Sequence, residues 1–192
     1  MNLLVTGAAG YIGASFSYEA LKKGFKVFGC DNFINSDEKN IKILENKFPN
    51  DFIFEKIDLS TELEKVKNFI SNKQIECVIH FASLKSVEES EEIPNEYWRN
   101  NLDSTFNVLK AMEDEGLKAL VFSSSASVYG QSKIQPLTED TNLIPESTYG
   151  KTKLAIEFIL KDLAEKSLIN VASLRYFCLL YTSPSPRDTL LS

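Results

Sequence analysis

Short apolar segments alternate along this chain with longer segments of helical character, and this alternation limits the possible folds more than any other feature. Six segments are interpreted as strands, at 3–6, 26–30, 52–54, 77–81, 119–122 and 171–176. They are continuously apolar, which is typical of strands covered on both faces. Helical stretches lie between them, at about 11–23, 37–47, 61–72, 94–115 and 148–166. This order predicts an α/β fold with a doubly wound parallel sheet.

Charge and composition exclude two broad classes of protein. The chain has 21 Lys and Arg against 27 Asp and Glu, which gives a net charge of −6. A protein that binds nucleic acid without sequence preference needs a cationic face, so we expect no nucleic-acid partner. No apolar run reaches the roughly 18 residues that a membrane span requires, so we expect no membrane association. The length of 192 residues predicts one domain with a substantial core.

The cysteines and the first residues bear on the compartment. Cys30, Cys77 and Cys178 form an odd set without the spacing of metal ligands. The first two lie in apolar segments, where a reduced thiol behaves as a small hydrophobic side chain. Met1 is followed almost directly by the first strand, which leaves no room for a secretory signal. We therefore expect a cytoplasmic protein without a metal site.

The last fifteen residues, 178–192, break the pattern of the chain. They read CLLYTSPSPRDTLLS, and Pro184 and Pro186 exclude a regular strand or helix. This stretch resembles the translation of a sequencing-library transposase adapter. We interpret 178–192 as a non-native tail, with a natural flexible tail as the alternative. On the first interpretation, residues 1–177 are an incomplete domain whose continuation is missing.

A glycine motif follows the first predicted strand. Gly7, Gly10 and Gly13 are spaced three and three and open the first predicted helix. Such glycines let the backbone approach a pyrophosphate, and the helix N-terminus supplies N–H donors. Asp31 ends the second strand, where a carboxylate accepts hydrogen bonds from ribose hydroxyls and repels a 2′-phosphate. The pattern favours NAD over NADP; the alternatives are a structural turn and a solvated loop acid.

Three further residues have the chemistry of proton transfer. Tyr149 and Lys153 lie four residues apart on a predicted helix, hence on one face. An ammonium near the phenol, together with a positive nicotinamide ring, lowers the pKa of the tyrosine, so it can act as a general base or acid. Ser125 follows the fifth strand and can relay a proton. In isolation, a surface Tyr/Lys pair and a serine turn are the alternatives.

The order of these motifs resembles the extended short-chain dehydrogenase/reductase superfamily, whose cofactor domain is of the Rossmann type. The segment at 80–90, HFASLKSVEES, is similar to the H-F-A-G-L-K-A-V-G-E-S signature of the UDP-glucose 4-epimerase family, with Ser83 and Glu88 in place of two glycines. Ala126 and Ser127 lack the Asp-Glu pair of the related 4,6-dehydratases. The likeness extends to Phe177, so the resemblance implies that a smaller C-terminal substrate lobe is missing.

The resemblance, together with the glycine motif, gives a set of NAD-binding residues. The set comprises Gly7, Gly10, Tyr11, Ile12, Gly13, Asp31, Asn32, Asp58, Leu59, Phe81, Ala82, Lys85, Asn100, Ser125, Tyr149, Lys153 and Phe177. Ser125 and Tyr149 are also expected to touch the sugar.

The resemblance also implies a reaction, in which UDP-glucose and UDP-galactose interconvert through a transient 4-keto sugar. Tyr149 takes the proton of the C4 hydroxyl while hydride passes to bound NAD and later returns to the other face. Ser125 guides the proton, and Lys153 holds the ribose and lowers the pKa of Tyr149. Two alternatives stay open: a sister substrate such as UDP-N-acetylglucosamine or UDP-glucuronate, and an inactive NAD-binding fragment. The intact parent is expected to be a homodimer.

Other conspicuous residues are expected to be structural. His80, the one histidine, lies at the end of an apolar run and is interpreted as a core residue. Glu88, Glu89, Glu91 and Glu92 are interpreted as a solvated acidic face. Tyr97 and Trp98 are expected to face the core from a helix.

Overall fold

A computed structural model describes residues 1–133 and 135–177 of the chain. The strands in this part are β1 (Asn2–Thr6), β2 (Lys26–Asp31), β3 (Phe52–Lys56), β4 (Cys77–His80), β5 (Ala119–Ser125) and β6 (Asn170–Tyr176). The α-helices are α1 (Tyr11–Lys22), α2 (Lys39–Lys47), α3 (Leu63–Lys73), α4 (Val87–Glu92), α5 (Pro94–Asp114) and α6 (Thr148–Glu165). A single 3-10 turn in the described residues, Ala126–Tyr129, follows β5.

The strands form one parallel sheet in the order β3-β2-β1-β4-β5-β6. The chain first runs outward from β1 to β3, then returns to the other side of β1 with β4. The order therefore reverses between β1 and β4, where Thr6 lies beside His80 in the register. The predicted α/β fold with a doubly wound parallel sheet is confirmed. In such sheets ligands bind in the crevice beyond the carboxyl ends of the strands, at this switch point.

Around β1, β2 and β4 each face of the sheet has its own core, which explains why these strands are continuously apolar. The expected cover on both faces does not extend to β5, which is buried at alternate positions, or to β6, which has no buried residue. Leu4 and Val78 point to the face covered by α3, α5 and α6, while Leu3, Val5 and Ile79 point to the face covered by α1 and α2. Successive residues of a strand point to opposite faces, so both sets must be apolar when both faces are covered.

The main departure from the predicted elements is α4. Its six residues, VEESEE, carry no apolar stripe, so the sequence indicated only a solvated acidic face. Its start is fixed locally, because the Ser86 hydroxyl accepts a hydrogen bond from the Glu89 N–H. The acids are exposed as expected. In α5, Tyr97 is fully buried as predicted, whereas Trp98 is only partly buried.

Strand β5 is longer than predicted. It continues through the serines to Ser125, and Ser123–Ser125 pair in register with Leu174–Tyr176 of β6. The sequence predicted an end at residue 122, since serines after a strand usually form turns. The tail predicted for 178–192, with Cys178, lies outside the described residues. Within the described ranges, no helix is both long enough and apolar enough to cross a membrane.

Candidate functional site

The loop between β1 and α1 forms a glycine cradle, in which neighbouring backbone atoms leave no room for a side chain at Gly7 or Gly13. A Cβ atom at Gly13 would lie 2.1 Å from the Gly7 carbonyl oxygen. Gly7 has a φ of +66°, and a Cβ there would lie 2.8 Å from the Ala82 nitrogen. The first turn of α1 has no side-chain cap and no acidic residue. The helix therefore presents its N–H donors and partial positive charge to the crevice, which suits an anion such as a pyrophosphate.

Asp31 lies at the carboxyl end of β2, and neighbouring groups fix its orientation. One carboxylate oxygen accepts from the Ala9 N–H at 3.1 Å. The other accepts from the Phe33 N–H and the Ser36 hydroxyl, each at 2.9 Å. A carboxylate has about four acceptor positions, so these three bonds leave capacity for a further donor. Asp31 can therefore accept a hydrogen bond from a ligand hydroxyl without losing its own support.

Asn32 and Asp58 lie beside this carboxylate at the ends of β2 and β3. The Asn32 amide donates to Asp58 at 3.3 Å, and the Ser60 hydroxyl donates to the same carboxylate at 2.6 Å. Burial raises the pKa of Asp58, but the bonds from Ser60 and Asn32 outweigh it and hold the pKa below its usual value. Asp58 is therefore a charged acceptor at the rim of the crevice.

These groups line a single open cavity along the carboxyl edge. Thirteen of the seventeen predicted NAD-binding residues line it: Gly7, Gly10, Tyr11, Ile12, Gly13, Asp31, Asn32, Asp58, Leu59, Phe81, Ala82, Lys85 and Asn100. Sequence reasoning missed eight further lining residues, namely Ile34, Asn35, Ser36, Ile57, Ser60, Ser83, Leu84 and Ser104. Most of them follow a predicted residue at a strand end, and this adjacency was the available signal.

The other four predicted residues, Ser125, Tyr149, Lys153 and Phe177, do not line this cavity. Ser125 ends β5, and Tyr149 lies in the first turn of α6. The Ser125 hydroxyl donates to the Ser127 hydroxyl and accepts from the Ser127 N–H, and it lies near enough to the Tyr149 phenol to lower its pKa. The ring of Phe177 lies 6.0 Å from that of Tyr129. The serine and tyrosine chosen from the sequence thus lie near each other at the carboxyl edge of the sheet.

Lys153 is buried one turn after Tyr149. Its ammonium donates to the Ser123 carbonyl oxygen at 2.9 Å, and it lies 4.9 Å from the Phe122 ring centroid and 5.8 Å from that of Tyr149. Burial lowers the pKa of Lys153 to about 7, although Glu157 opposes the shift. Near pH 7, the charged ammonium and the neutral amine of Lys153 are therefore close in free energy.

The pKa of Tyr149 is set by burial and by Ser125. Burial raises it above the usual value, and the hydrogen bond from Ser125 lowers it in part. The Lys153 ammonium is not among the groups that shift this pKa. The predicted acidification of Tyr149 therefore depends on additional positive charge from the nicotinamide ring, and it stays a prediction.

His80 lies between the cradle and Lys153, and its hydrogen bonds fix its tautomer. Thr105 donates its hydroxyl to the Asn101 carbonyl oxygen at 2.8 Å, so at His80 it can only accept, from Nε2–H at 3.2 Å. Nδ1 therefore accepts from the Thr6 hydroxyl at 2.8 Å. Burial, with the nearby Lys153 charge, lowers the pKa of His80 to about 3. The histidine is neutral and structural, in agreement with its interpretation from the sequence.

A largely buried ionic network joins Arg175 and Glu157 next to the end of β5. Arg175 of β6 donates to the Glu157 carboxylate at 2.7 Å and to the Tyr129 hydroxyl at 2.8 Å. The Ser124 hydroxyl donates to the same Glu157 carboxylate. The network joins β5, β6 and α6. Sequence reasoning did not find Glu157. In the described ranges, no group of three or more His, Cys, Asp or Glu residues is arranged to hold a metal ion.

Known proteins resemble this chain in sequence and in fold. A UDP-glucose 4-epimerase from Bacillus subtilis is 43% identical over 188 residues, covering 97% of this chain and 55% of that protein. The crystal structure of a UDP-glucose 4-epimerase from Stenotrophomonas maltophila with bound NAD and formylated UDP-arabinopyranose matches with a TM-score of 0.88 and 38% identity. It covers 92% of this chain and 53% of the other.

A second solved structure gives the same result. The UDP-glucose 4-epimerase from Bifidobacterium longum, in complex with NAD+ and UDP, matches with a TM-score of 0.87 and 37% identity over 92% of this chain and 53% of the other. This chain thus spans about half the length of the relatives it matches. The model of the NAD dependent epimerase/dehydratase family matches residues 3–187. The chain therefore belongs to the NAD dependent epimerase/dehydratase family.

Proposed function

We propose that residues 1–177 are the NAD-binding part of a nucleotide-sugar 4-epimerase that interconverts UDP-glucose and UDP-galactose. The observation that carries the proposal is the position of Lys153, whose ammonium lies 5.8 Å from the Tyr149 ring centroid, with Ser125 nearby at the end of β5. A hydroxyl, a phenol and an ammonium in this order suit proton exchange with a sugar hydroxyl. The family match and the relatives at about 40% identity support the same activity.

The residues present fit NAD as the cofactor. The cradle would take the pyrophosphate, since its glycines admit close approach of a ligand and the first turn of α1 has no side-chain cap. Asp31, with capacity for a further donor, would accept from the adenosine ribose and disfavour a 2′-phosphate. Bound NAD would supply reversible oxidation of the sugar at C4.

The side chains of this chain then have separate tasks. Tyr149 would take the proton of the C4 hydroxyl and give it back, and Ser125 would keep that proton on a hydrogen-bonded path. Lys153, anchored by the Ser123 carbonyl oxygen, would hold a ribose hydroxyl with its remaining N–H donors. The walls at Phe81 and Ala82 would exclude water from the reacting carbon.

A second candidate is an NAD-binding fragment without turnover. It is favoured by one observation, which is that the chain spans about half the length of its relatives. Isothermal titration of the 192-residue chain with NAD and with UDP-glucose tests it. NAD binding without sugar turnover supports the fragment, whereas turnover excludes it. A chain that binds neither contradicts both candidates.

The epimerase chemistry is tested in a completed chain. We define the completed chain as residues 1–177 joined to the part of the Bacillus subtilis relative that follows its counterpart of Phe177. It is expected to convert UDP-glucose to UDP-galactose without added NADH. A need for stoichiometric reductant would refute the assignment. Initial rates of the natural longer gene product on UDP-glucose, UDP-N-acetylglucosamine and UDP-glucuronate then decide the sugar.

The expected homodimer of the intact parent is also a proposal. Phe106 of α5 is 47% exposed and Phe158 of α6 is 61% exposed, which supports a contact surface on this pair of helices. Sedimentation equilibrium of the completed chain tests it, with Phe158→Glu as the disrupting variant. A monomer before substitution would contradict the dimer.

A further inference from the structure

The first turn of α6 takes most of its capping from another helix. The first N–H groups of a helix have no partner within it, and a helix usually satisfies them with its own N-cap residue. Here the hydroxyl of the N-cap, Ser147, accepts from the Gly150 N–H at 3.1 Å. The Thr148 N–H donates instead to the Glu91 carboxylate at 2.6 Å, and the Tyr149 N–H donates to the Ser90 hydroxyl at 3.1 Å. Both acceptors belong to α4.

These two bonds act on the backbone that carries the proposed base. The Tyr149 N–H is itself one of the donors, and the Thr148 N–H directly precedes it. The acceptors are 57 and 59 residues away in the chain, so the position of the phenol relative to Ser125 depends on where α4 lies. A carboxylate at this end also complements the helix dipole.

The position of α4 is fixed by a hydrogen bond of its own and by Tyr97 of α5. Fully buried Ser90 donates to the Val87 carbonyl oxygen at 2.6 Å, which orients its oxygen. Tyr97 donates to the Glu89 carboxylate at 2.6 Å and accepts from the Ser86 N–H at 3.0 Å. Because Ser86 directly follows Lys85 of the cofactor cavity, α4 connects that cavity to the start of α6.

We propose that Ser90 and Glu91 are positioning residues that hold the first turn of α6, and thereby set the place of the Tyr149 phenol. They act through the backbone of Thr148 and Tyr149, and neither of them lines the cofactor cavity. The significance for catalysis rests on the proposed function, which makes Tyr149 the base. The positioning itself is measurable without turnover.

The test measures amide hydrogen exchange and the Tyr149 ring signal in the 192-residue chain by NMR. Removing the acceptor of an amide hydrogen bond should speed exchange at its donor by about tenfold. We therefore expect Glu91→Ala to act at the Thr148 N–H and Ser90→Ala at the Tyr149 N–H. Both should shift the Tyr149 ring signal while that of Tyr129 stays in place.

Two variants separate positioning from general loss of stability. Glu91→Gln keeps an oxygen acceptor, so it should restore slow exchange at Thr148 to within about threefold and restore the ring signal. Glu92→Ala removes the neighbouring exposed acid and should change neither readout. Glu91 is exposed, so its variants decide the question even where Ser90→Ala fails to fold.

Several outcomes would overturn the proposal. One is that the Thr148 and Tyr149 amides exchange freely in the unaltered chain, and another is that Glu91→Ala changes neither exchange nor the ring signal. A third is that the variant speeds amide exchange equally in β1 and α6. The last is that exchange becomes faster while the Tyr149 ring signal does not move. NAD affinity is measured on the same samples. A chain that ignores NAD contradicts the proposed function, whereas the exchange pattern alone decides the role of Ser90 and Glu91.

Discussion

The two halves of the sheet bury different kinds of side chain. Within residues 1–73, around β1, β2 and β3, the buried polar side chains are Thr6 and Ser17. Around β4, β5 and β6, the core also contains a histidine, a lysine and a glutamate, together with several hydroxyl and amide groups. The members of this second set in the described residues are His80, Ser90, Asn101, Ser104, Thr105, Ser124, Thr141, Thr148, Thr152, Lys153 and Glu157.

The difference corresponds to two ways of building a site. The first half offers backbone N–H groups and a carboxylate at the edge of an apolar core, so its chemistry depends on how closely a ligand approaches. The second half places ionisable side chains inside the core, where each needs a partner. Throughout the described residues, no buried side-chain nitrogen or oxygen lacks one. We therefore expect the first half to lose ligand binding when an added side chain fills the cradle. The second half should lose activity when a particular side chain is removed.

Loss of the phenol should have the largest effect. We expect Tyr149→Phe to lower kcat of the completed chain by about 1000-fold, since removal of a general acid or base has effects of this order. NAD affinity should stay within about twofold because the cradle is untouched. Steady-state epimerisation and isothermal titration check this. Unchanged turnover would eliminate Tyr149 as the base.

Obstruction of the glycine cradle should have the second-largest effect. Gly13→Ala places a methyl group 2.1 Å from the Gly7 carbonyl oxygen, whereas the same change at Gly10 places it at 3.4 Å from that atom. We expect Gly13→Ala to weaken NAD binding by about 100-fold and to destabilise the fold by about 3 kcal/mol. Gly10→Ala, the matched control, should preserve the fold. Equal unfolding free energies for both variants would contradict the packing argument.

The same division decides what the sequence could predict. The apolar runs of β1, β2 and β4 predicted the sheet, because a strand covered on both faces has to be apolar at nearly every position. Gly7, Gly13 and Asp31 were found because their local spacing has a direct physical meaning. Helix α4 was missed because five polar residues and one valine have no apolar periodicity.

The supports of the second half depend on tertiary contacts. Glu157 meets Arg175 across 18 residues, and Ser90 meets Tyr149 across 59. No pattern in the local sequence predicts either of these contacts. The Tyr149 and Lys153 pair was found because both lie on one helix face, whereas the groups that hold and bury them come from elsewhere in the chain.

Removing the buried ammonium should stabilise the protein while it impairs function. The pKa of Lys153 is lowered to about 7 in the folded chain. Between pH 7 and about 10.4, the unfolded chain binds a proton that the folded chain lacks, so the free energy of unfolding rises with pH in that window. Lys153→Met should abolish this rise and be more stable by about 2 kcal/mol at pH 6.

Urea unfolding at pH 6 and pH 9 provides the measurement for Lys153→Met. NAD binding should weaken in the same variant, because the Met side chain has no N–H donor. Neutral Met also removes one charge acting on His80, so the comparison is made at pH 6 and above, where the fully buried histidine is neutral. A variant less stable than the unaltered chain at pH 6 would show that the ammonium stabilises the core.

The smallest expected effect is a change in acid sensitivity. Burial lowers the pKa of His80 to about 3 in the folded chain, whereas an unfolded histidine has a pKa of about 6.5. Between these values only the unfolded chain binds the proton, so the free energy of unfolding falls as the pH falls. The contribution of His80 should be about 1.4 kcal/mol per pH unit between about pH 4 and 6.

His80→Gln keeps a donor for Thr105 and an acceptor for Thr6 but cannot titrate in this range. Urea unfolding at pH 4, 5 and 6 should therefore give a slope against pH that is shallower by about 1.4 kcal/mol per unit. Carboxylates titrate in both proteins, so their contribution cancels in the difference. Equal slopes would mean that the folded chain accepts the proton at His80. In that case the core around β4 would tolerate a charged imidazole between Thr6 and Thr105. The hydrogen bonds of His80 would then not fix its neutral form.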